Sequence, residues 1–421
     1  MPLRDDILAR AETIVARCQK LAKFTEEPGG ICRTFLSAPM RDCQREISSW
    51  LKSAGAEVTI DAAGNVRGVY PASQPKMPKV LFGSHLDTVP HAGAYDGILG
   101  VVLGISLLEA LGGRKLPFAI EIMGFSEEEG IRFGVPFIGS RALVGRLDAE
   151  LLDRKDKNSI SVRQAIVDFG LDPLEIPRAE LDGDTVAYLE FHIEQGPVLE
   201  SLALPLGVVE AIAGQDRVEF LFRGGANHAG TTPMHLRHDA MAAAAEWIVE
   251  VERTAKSEKE LVATVGRIDA TPNAPNVIAG QVRTTLDLRH PSDQVRARVL
   301  NLLIEQAAKI SQYRGLTVEH KNMLHQPAVR MDSLLVEQIE DAMRDVGCVP
   351  HRMVSGAGHD AMIIAEKIPS GMIFLRTPGG ISHHPSESVD IEDVGKALEC
   401  GLRLLEQSAS SPEFRKRMCR A

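Results

Sequence analysis

Two apolar segments, 79–83 (KVLFG) and 118–125 (FAIEIMGF), run straight into polar side chains, and this pairing constrains the fold more than any other feature. Each reads as a buried core strand. The first opens into Ser84-His85-Leu86-Asp87 and the second into Ser126-Glu127-Glu128-Glu129-Gly130, so imidazole and carboxylate groups arrive at one sheet edge. Open α/β sheets place their ligand crevices at the carboxyl ends of strands, which makes that edge the expected active-site position. A third strand, 186–191, ends in His192-Ile193-Glu194-Gln195-Gly196-Pro197.

Helical and strand patterns alternate along the chain. Helices are expected over 4–24, over 41–53 with Gly55 as the stop, and over 97–111, with short strands at 57–60 and 65–70. From about residue 214 the texture changes. A strand at 217–222 leads to the glycine-rich 224–230, a helix (237–255), strands near 261–268 and 278–288, a helix (293–311) and a strand (316–321). That βαββαβ order suits a separate four-stranded sheet with two helices on one face. After about 326 the first texture returns, through 355–360, a strand at 371–375, the segment 379–385 and a helix over 391–407. The expected fold is therefore α/β: a mixed-sheet domain formed by 1–213 and 327–421, with an inserted α+β domain at 214–326.

Composition excludes several classes of function. With 44% hydrophobic and 25% charged residues the chain is an ordinary globular one. Lys plus Arg is 47 and Asp plus Glu is 57, a net charge of −10 with no basic tract, which argues against nucleic acid as a partner. The longest apolar run, 98–108, is about half of the ~20 residues a membrane helix needs. The N-terminal MPLRDD turns polar at once, unlike a signal peptide, so a cytoplasmic location is expected. The six cysteines (Cys18, Cys32, Cys43, Cys348, Cys400, Cys419) are scattered and form no CxxC pair. Any metal must then be held by His and carboxylate.

Taken singly, the candidate residues are ambiguous. His85-Leu86-Asp87 equally suits a capped polar strand end, and Asp96-Gly97 just before a helix is normally an N-cap. A run such as Glu127-Glu128-Glu129 is usually a solvated acidic patch, but this one is anchored behind an apolar strand, where a cation would relieve its self-repulsion. Together, His85, Asp96, Glu129, His192 and His383 form a nitrogen and oxygen donor set suited to Zn²⁺ or Mn²⁺ at an open catalytic site. Five ligands serve two metals if one carboxylate bridges a pair ~3.5–4 Å apart. Asp87 could brace His85 through its other ring nitrogen. Glu128 projects to the opposite side of an extended backbone from Glu129, free to act as a base.

GSHLDTV (83–89), YDGILGV (95–101) and EEGIRF (128–133) resemble motifs of the co-catalytic metallohydrolases that include aminoacylases and zinc carboxypeptidases. HIEQGP (192–197), NHAGTTPM (227–234), NAPNVI (273–278), DLR (287–289), GAGHDA (356–361) and GISHHP (380–385) narrow the likeness. They are similar to the amidase branch of allantoate amidohydrolases, N-carbamoyl-L-amino-acid hydrolases and ureidoglycolate or β-ureidopropionate amidohydrolases. The resemblance extends over about 29–395.

It implies two divalent metals per subunit, Zn²⁺ foremost, with Mn²⁺ or Co²⁺ compatible. His85 and His383 would hold one, Glu129 and His192 the other, and Asp96 would bridge them. Asp87 would orient His85, and Glu128 would be the general base and later the acid. The frame EEGxRF makes Glu127 a bystander, and GISH selects His383 over His384. Gln195 and the backbone at Gly358 would lie near the substrate's ureido group. His228 would reach across a homodimer interface to polarise the scissile carbonyl. Asn276 and Arg289 would hold the substrate carboxylate, the guanidinium through its bidentate fork. The inserted domain would be a lid and dimerisation element. The implied activity is hydrolysis of a ureido C–N bond in a small carboxylate. HAGAYDG (91–97) with RFGVPFIGS (132–140) looks closest to members acting on allantoate, with an N-carbamoyl-L-amino acid as the alternative.

Overall fold

The computed structural model describes residues 4–411; residues 1–3 and 412–421, and with them Cys419 and the outermost expected domain bounds, lie outside it. The chain divides into two compact units, one made of residues up to Glu210 and from Met331 onward, the other of Ala211–Arg330. In chain order the strands are β1 (Glu57–Ile60), β2 (Val66–Tyr70), β3 (Lys79–His85), β4 (Ala119–Phe125), β5 (Thr185–Ile193), β6 (Leu206–Ile212), β7 (Gly214–Arg223), β8 (Val262–Thr271), β9 (Gln281–His290), β10 (Thr317–Gln326), β11 (Val329–Arg330), β12 (Arg352–Ser355) and β13 (Ser370–Leu375).

Among the described residues one sheet is nine-stranded and mixed, in the order β1-β2-β4-β3-β5-β13-β6-β11, with β12 also on β6. Its centre, β4-β3-β5-β13, is parallel, and the outer pairings are antiparallel. Every residue of β3, β4, β5 and β13 is buried, as expected of parallel strands covered on both faces. The helix Ile98–Leu111 supplies part of that cover and is itself buried almost throughout. It lies so close to β5 that a Cβ on Gly100 would stand 2.1 Å from the Phe191 carbonyl oxygen. The chain leaves β3 for β4 on one side and later adds β5 on the other. The carboxyl ends of these neighbours thus meet at a topological switch point. His85 closes β3, His192 is the penultimate residue of β5, and Ser126–Glu129 follow β4 directly.

The second unit contains β7 to β10, antiparallel in the order β10-β7-β9-β8, and the helices Ala240–Ser257 and Asp293–Tyr313. This is the expected βαββαβ succession. Alternate residues of β7 (Val218, Phe220, Phe222) and β9 (Val282, Leu286, Leu288) pack on Ala243, Trp247 and Val251 of one helix and Val299, Leu303 and Ala307 of the other. Trp247 is fully buried, and its indole N–H is satisfied by the Leu303 carbonyl at 2.9 Å.

Among the described residues no helix is long and apolar enough to cross a membrane. The five cysteines described, Cys18, Cys32, Cys43, Cys348 and Cys400, are all free.

Candidate metal centre

At the end of β3 the His85 ring places Nδ1 3.0 Å from the Asp87 carbonyl oxygen, and at the end of β5 His192 places Nδ1 2.9 Å from the Ile193 carbonyl oxygen. A carbonyl only accepts, so each Nδ1 donates, and each neutral ring is left with a bare Nε2 lone pair. The two Nε2 atoms face each other at 3.4 Å. Asp96 Oδ1 lies 3.2 Å from His192 Nε2 and 3.6 Å from His85 Nε2. That oxygen is buried and has no hydrogen-bond partner. Two lone pairs and an orphaned carboxylate oxygen repel one another unless a proton or a metal ion joins them, and imidazole nitrogen with carboxylate oxygen is the donor chemistry of zinc-type ions.

The other oxygen of Asp96, Oδ2, is 3.1 Å from His383 Nε2, which is 3.4 Å from Glu129 Oε1. Asp96 therefore offers one oxygen to His85 and His192 and the other to Glu129 and His383, and in both groups the donor atoms lie within 4.8 Å of one another. All five expected residues converge, but the grouping differs from the expected one, in which His85 went with His383 and Glu129 with His192. Strand order explains it. β3 and β5 are hydrogen-bonded neighbours, so their terminal imidazoles stack with ring centroids 5.6 Å apart, whereas Glu129 follows β4 and His383 sits on the loop after β13. Burial works against the charge of Asp96, yet with no metal between them and the rings protonated, His192, His383 and His85 together hold its carboxyl well below the ordinary range.

Asp87 does more than stand beside His85. Its Oδ1 accepts the Glu128 N–H at 2.9 Å and its Oδ2 accepts the Glu129 N–H at 3.1 Å, while Oδ1 stays 3.5 Å from the ring. The side chain thus fixes the turn that carries the two glutamates, and the backbone carbonyl orients the imidazole. Glu128 is buried, and its carboxyl is pushed well above the usual value by burial, then by Glu129, Asp360 and Asp87, against the pull of His85. Glu127 is buried with both carboxylate oxygens unpartnered and belongs to neither group around Asp96. His384 is exposed, its Nδ1 accepting the Ser386 N–H at 3.1 Å.

Asp96 is not the N-cap of the following helix. Gly97, at φ +68°, takes that position, and its geometry is needed for space as well, because a Cβ there would stand 2.5 Å from the His85 ring. Gln195 and His383 both adopt left-handed backbone (φ +58° and +55°), uncommon for residues with a side chain. The Gln195 amide donates at 3.1 Å to Asp96 Oδ2 and at 3.1 Å to Ser382 Oγ, so it stands against the centre itself. Gly358 lies just before His359, a buried ring 4.4 Å from His192 with Nε2 held 3.0 Å from Ser355 Oγ.

Sequence reasoning missed three supporting residues. His359, with Glu190 and His192, forms a further group of donors; the HDA of its own motif was the available signal. Asn65 is fully buried, and its Oδ1 accepts the Ser126 N–H at 3.0 Å while its Nδ2 donates to Asp61 and to the Gly139 carbonyl. Glu387 accepts the backbone N–H groups of Tyr95 and Asp96. Neither of these last two carries a signal in the sequence.

His228, Asn276 and Arg289 belong to the second unit. His228 is exposed, and its Nδ1 accepts the Gly230 N–H at 3.1 Å, so a neutral ring carries its proton outward on Nε2. The Asn276 carbonyl accepts the Ala229 N–H at 2.9 Å, and His228 bridges to Val277, which sets these two segments side by side. Arg289 forks onto Asp287, Nε at 2.7 Å and Nη2 at 3.2 Å, and Arg217 and Gln215 share the same carboxylate.

Residues 81–407 match the family model described as peptidase family M20/M25/M40. Allantoate deiminase 2 of Glycine max is 38% identical over 441 residues, covering 96% of this chain and 91% of its own. The N-carbamoyl-L-amino acid amidohydrolase of Geobacillus stearothermophilus is 37% identical over 396 residues, covering 93% and 97%. An amidase of the hydantoinase/carbamoylase family from Burkholderia multivorans has the same mixed α/β architecture, with a TM-score of 0.90 at 32% identity over 96% of this chain and 98% of that one. With a matching family model over most of its length and donors that could bind metal at the carboxyl edge of its sheet, the chain belongs to the M20/M25/M40 peptidase family, whose enzymes are metallohydrolases.

Proposed function

We propose that the chain is a dinuclear metal amidohydrolase that cleaves a ureido C–N bond of a small carboxylate, with allantoate as the substrate. The observation that carries the reading is Asp96, a buried carboxylate with one oxygen turned to each of two imidazole-containing groups. His85, His192 and Asp96 would hold one divalent ion, and Glu129, His383 and Asp96 the other; Zn²⁺ suits the set first, with Mn²⁺ and Co²⁺ compatible. Such ions supply Lewis acidity toward a carbonyl oxygen and lower the pKa of water toward ~7.

The chain's own groups do the rest. Glu128 takes the proton of the attacking water on its carboxylate and returns it to the leaving nitrogen. His228 donates Nε2–H to the carbonyl oxygen on which negative charge develops. Arg289 and Asn276 hold the substrate carboxylate, and Gln195 and the Gly358 backbone line the ureido end. The inserted unit, in this reading, is the lid and the dimerisation element, and its His228 serves the neighbouring subunit.

The allantoate deiminase relative supports the first substrate and the N-carbamoyl-L-amino acid amidohydrolase relative supports a second reading, an N-carbamoyl-L-amino acid. Protein loaded in turn with Zn²⁺, Mn²⁺ and Co²⁺ is given allantoate and N-carbamoyl-L-amino acids in parallel, and released ammonia is measured. Ammonia released most efficiently from allantoate is expected. Turnover of carbamoyl amino acids alone would replace the substrate and keep the reaction; turnover of neither with any metal would overturn both.

A further inference from the structure

The loop that carries His383 is exposed from His383 to Ser386 and then dips inward at Glu387, which is only 6% exposed. Its carboxylate Oε1 accepts two backbone N–H groups, from Tyr95 at 2.9 Å and Asp96 at 3.1 Å, 292 and 291 residues away in the chain. Its Oε2 accepts the Ser382 hydroxyl at 3.2 Å. Ser382 Oγ in turn accepts from the Gln195 amide, and that same amide nitrogen donates to Asp96 Oδ2. The bonds close a ring: Glu387 to the Asp96 backbone, the Asp96 side chain to Gln195, Gln195 to Ser382, and Ser382 back to Glu387. Space for the carboxylate is provided by Gly93, where a Cβ would stand 2.3 Å from Glu387 Cβ, Cδ and Oε1.

We propose that Glu387 is a positioning residue that ties the turn bearing Asp96 to the loop bearing His383 and so sets the geometry of the Asp96–Glu129–His383 group. An anion taken out of water is tolerated only when donors replace its hydration, and here the donors are the backbone of one loop and the side chain of the other. Neither loop lies in a strand or helix. His383 moreover holds a left-handed backbone while its side chain stays half exposed, and its ring meets Asp96, Glu129 and Gln195 through the single atom Nε2. Removing the carboxylate leaves two buried N–H groups without an acceptor and frees the His383 loop at its base. Glutamine at 387 keeps an acceptor for the two N–H groups and can donate to Ser382 Oγ, so it preserves the ring.

The proposal rests on the reading that this group holds metal, and the experiment separates the two. Amide hydrogen exchange is followed by mass spectrometry on the metal-free protein, and bound metal is counted by elemental analysis at graded free Zn²⁺. In Glu387→Ala, peptides covering 93–98 and 380–388 are expected to exchange faster together while peptides within β3 and β5 keep their wild-type rates. One metal equivalent should be retained ~10–100-fold less tightly, the usual effect of losing a group that orients ligands. Glu387→Gln should restore both readouts. Acceleration confined to one loop, spread evenly over the whole unit, or not rescued by glutamine would overturn the clamp. If wild-type protein bound no metal while the two loops still loosened together, the metal reading would fall and the clamp would stand.

Discussion

Glu128 reaches the centre on a turn held by another side chain, since both oxygens of Asp87 are spent on the N–H groups of Glu128 and Glu129. Glu128→Gln keeps that turn and the volume of the side chain and removes only the proton acceptor. Metal content is expected to stay at the wild-type value, with kcat lower by ~10²–10⁴-fold, the range that general acid–base catalysis supplies. Elemental analysis beside steady-state kinetics measures both, and an unchanged kcat would remove Glu128 from the role of base. At this scale the five converging donors are legible in the sequence because each follows an apolar strand or sits in a polar loop with a recognisable motif. Their grouping is not legible, because it depends on which strands are neighbours. Asn65 and Glu387 are silent for another reason: they act on backbone N–H groups, and a residue that satisfies main chain leaves no pattern of residue types.

The helix Ile98–Leu111 and strand β5 show how little slack the elements have. Gly100 faces the Phe191 carbonyl, and Phe191 immediately precedes His192. Gly100→Ala gains helix propensity but forces helix and strand apart. The expected net effect is a loss of ~1–3 kcal/mol, as for other overpacked cores, read from the midpoint of denaturant unfolding. An unchanged midpoint would mean that the pair relaxes freely. Element types are legible in the sequence, and their ends less so. β3 and β5 extend through His85 and His192, where the sequence suggests that the strands have already stopped, because parallel pairing continues past Gly83 to His85 and past Phe191 to Ile193. The turn before the helix departs from the usual acidic N-cap. A glycine in left-handed backbone starts it, which leaves the Asp96 carboxylate for the centre.

For the molecule as a whole, the sequence marks a change of texture at 214, whereas the compact second unit runs Ala211–Arg330. The added ends are 211–213 and 327–330, where the last two residues of β6 pair with the two-residue β11, which is too short for any periodicity to reveal. Two predictions belong here. Chelation should abolish turnover and lower the melting temperature, because ions that bind only the native arrangement stabilise it by mass action. Zn²⁺, Mn²⁺ or Co²⁺ should restore both, and a melting temperature indifferent to chelator would count against a metal at the sheet edge. If His228 serves the neighbouring subunit, His228→Ala and Glu128→Gln proteins, each inactive alone, should regain part of the activity when mixed and allowed to exchange subunits. Verified mixed dimers without activity would confine the site to one chain.

Asp96 turns one oxygen to each side of the centre, so removing its carboxylate acts on both sides at once. Any attempt to divide the labour between the two halves by mutagenesis must be made at the outer members, His192 for one and His383 for the other. An inactive Asp96→Ala variant says nothing about which half mattered.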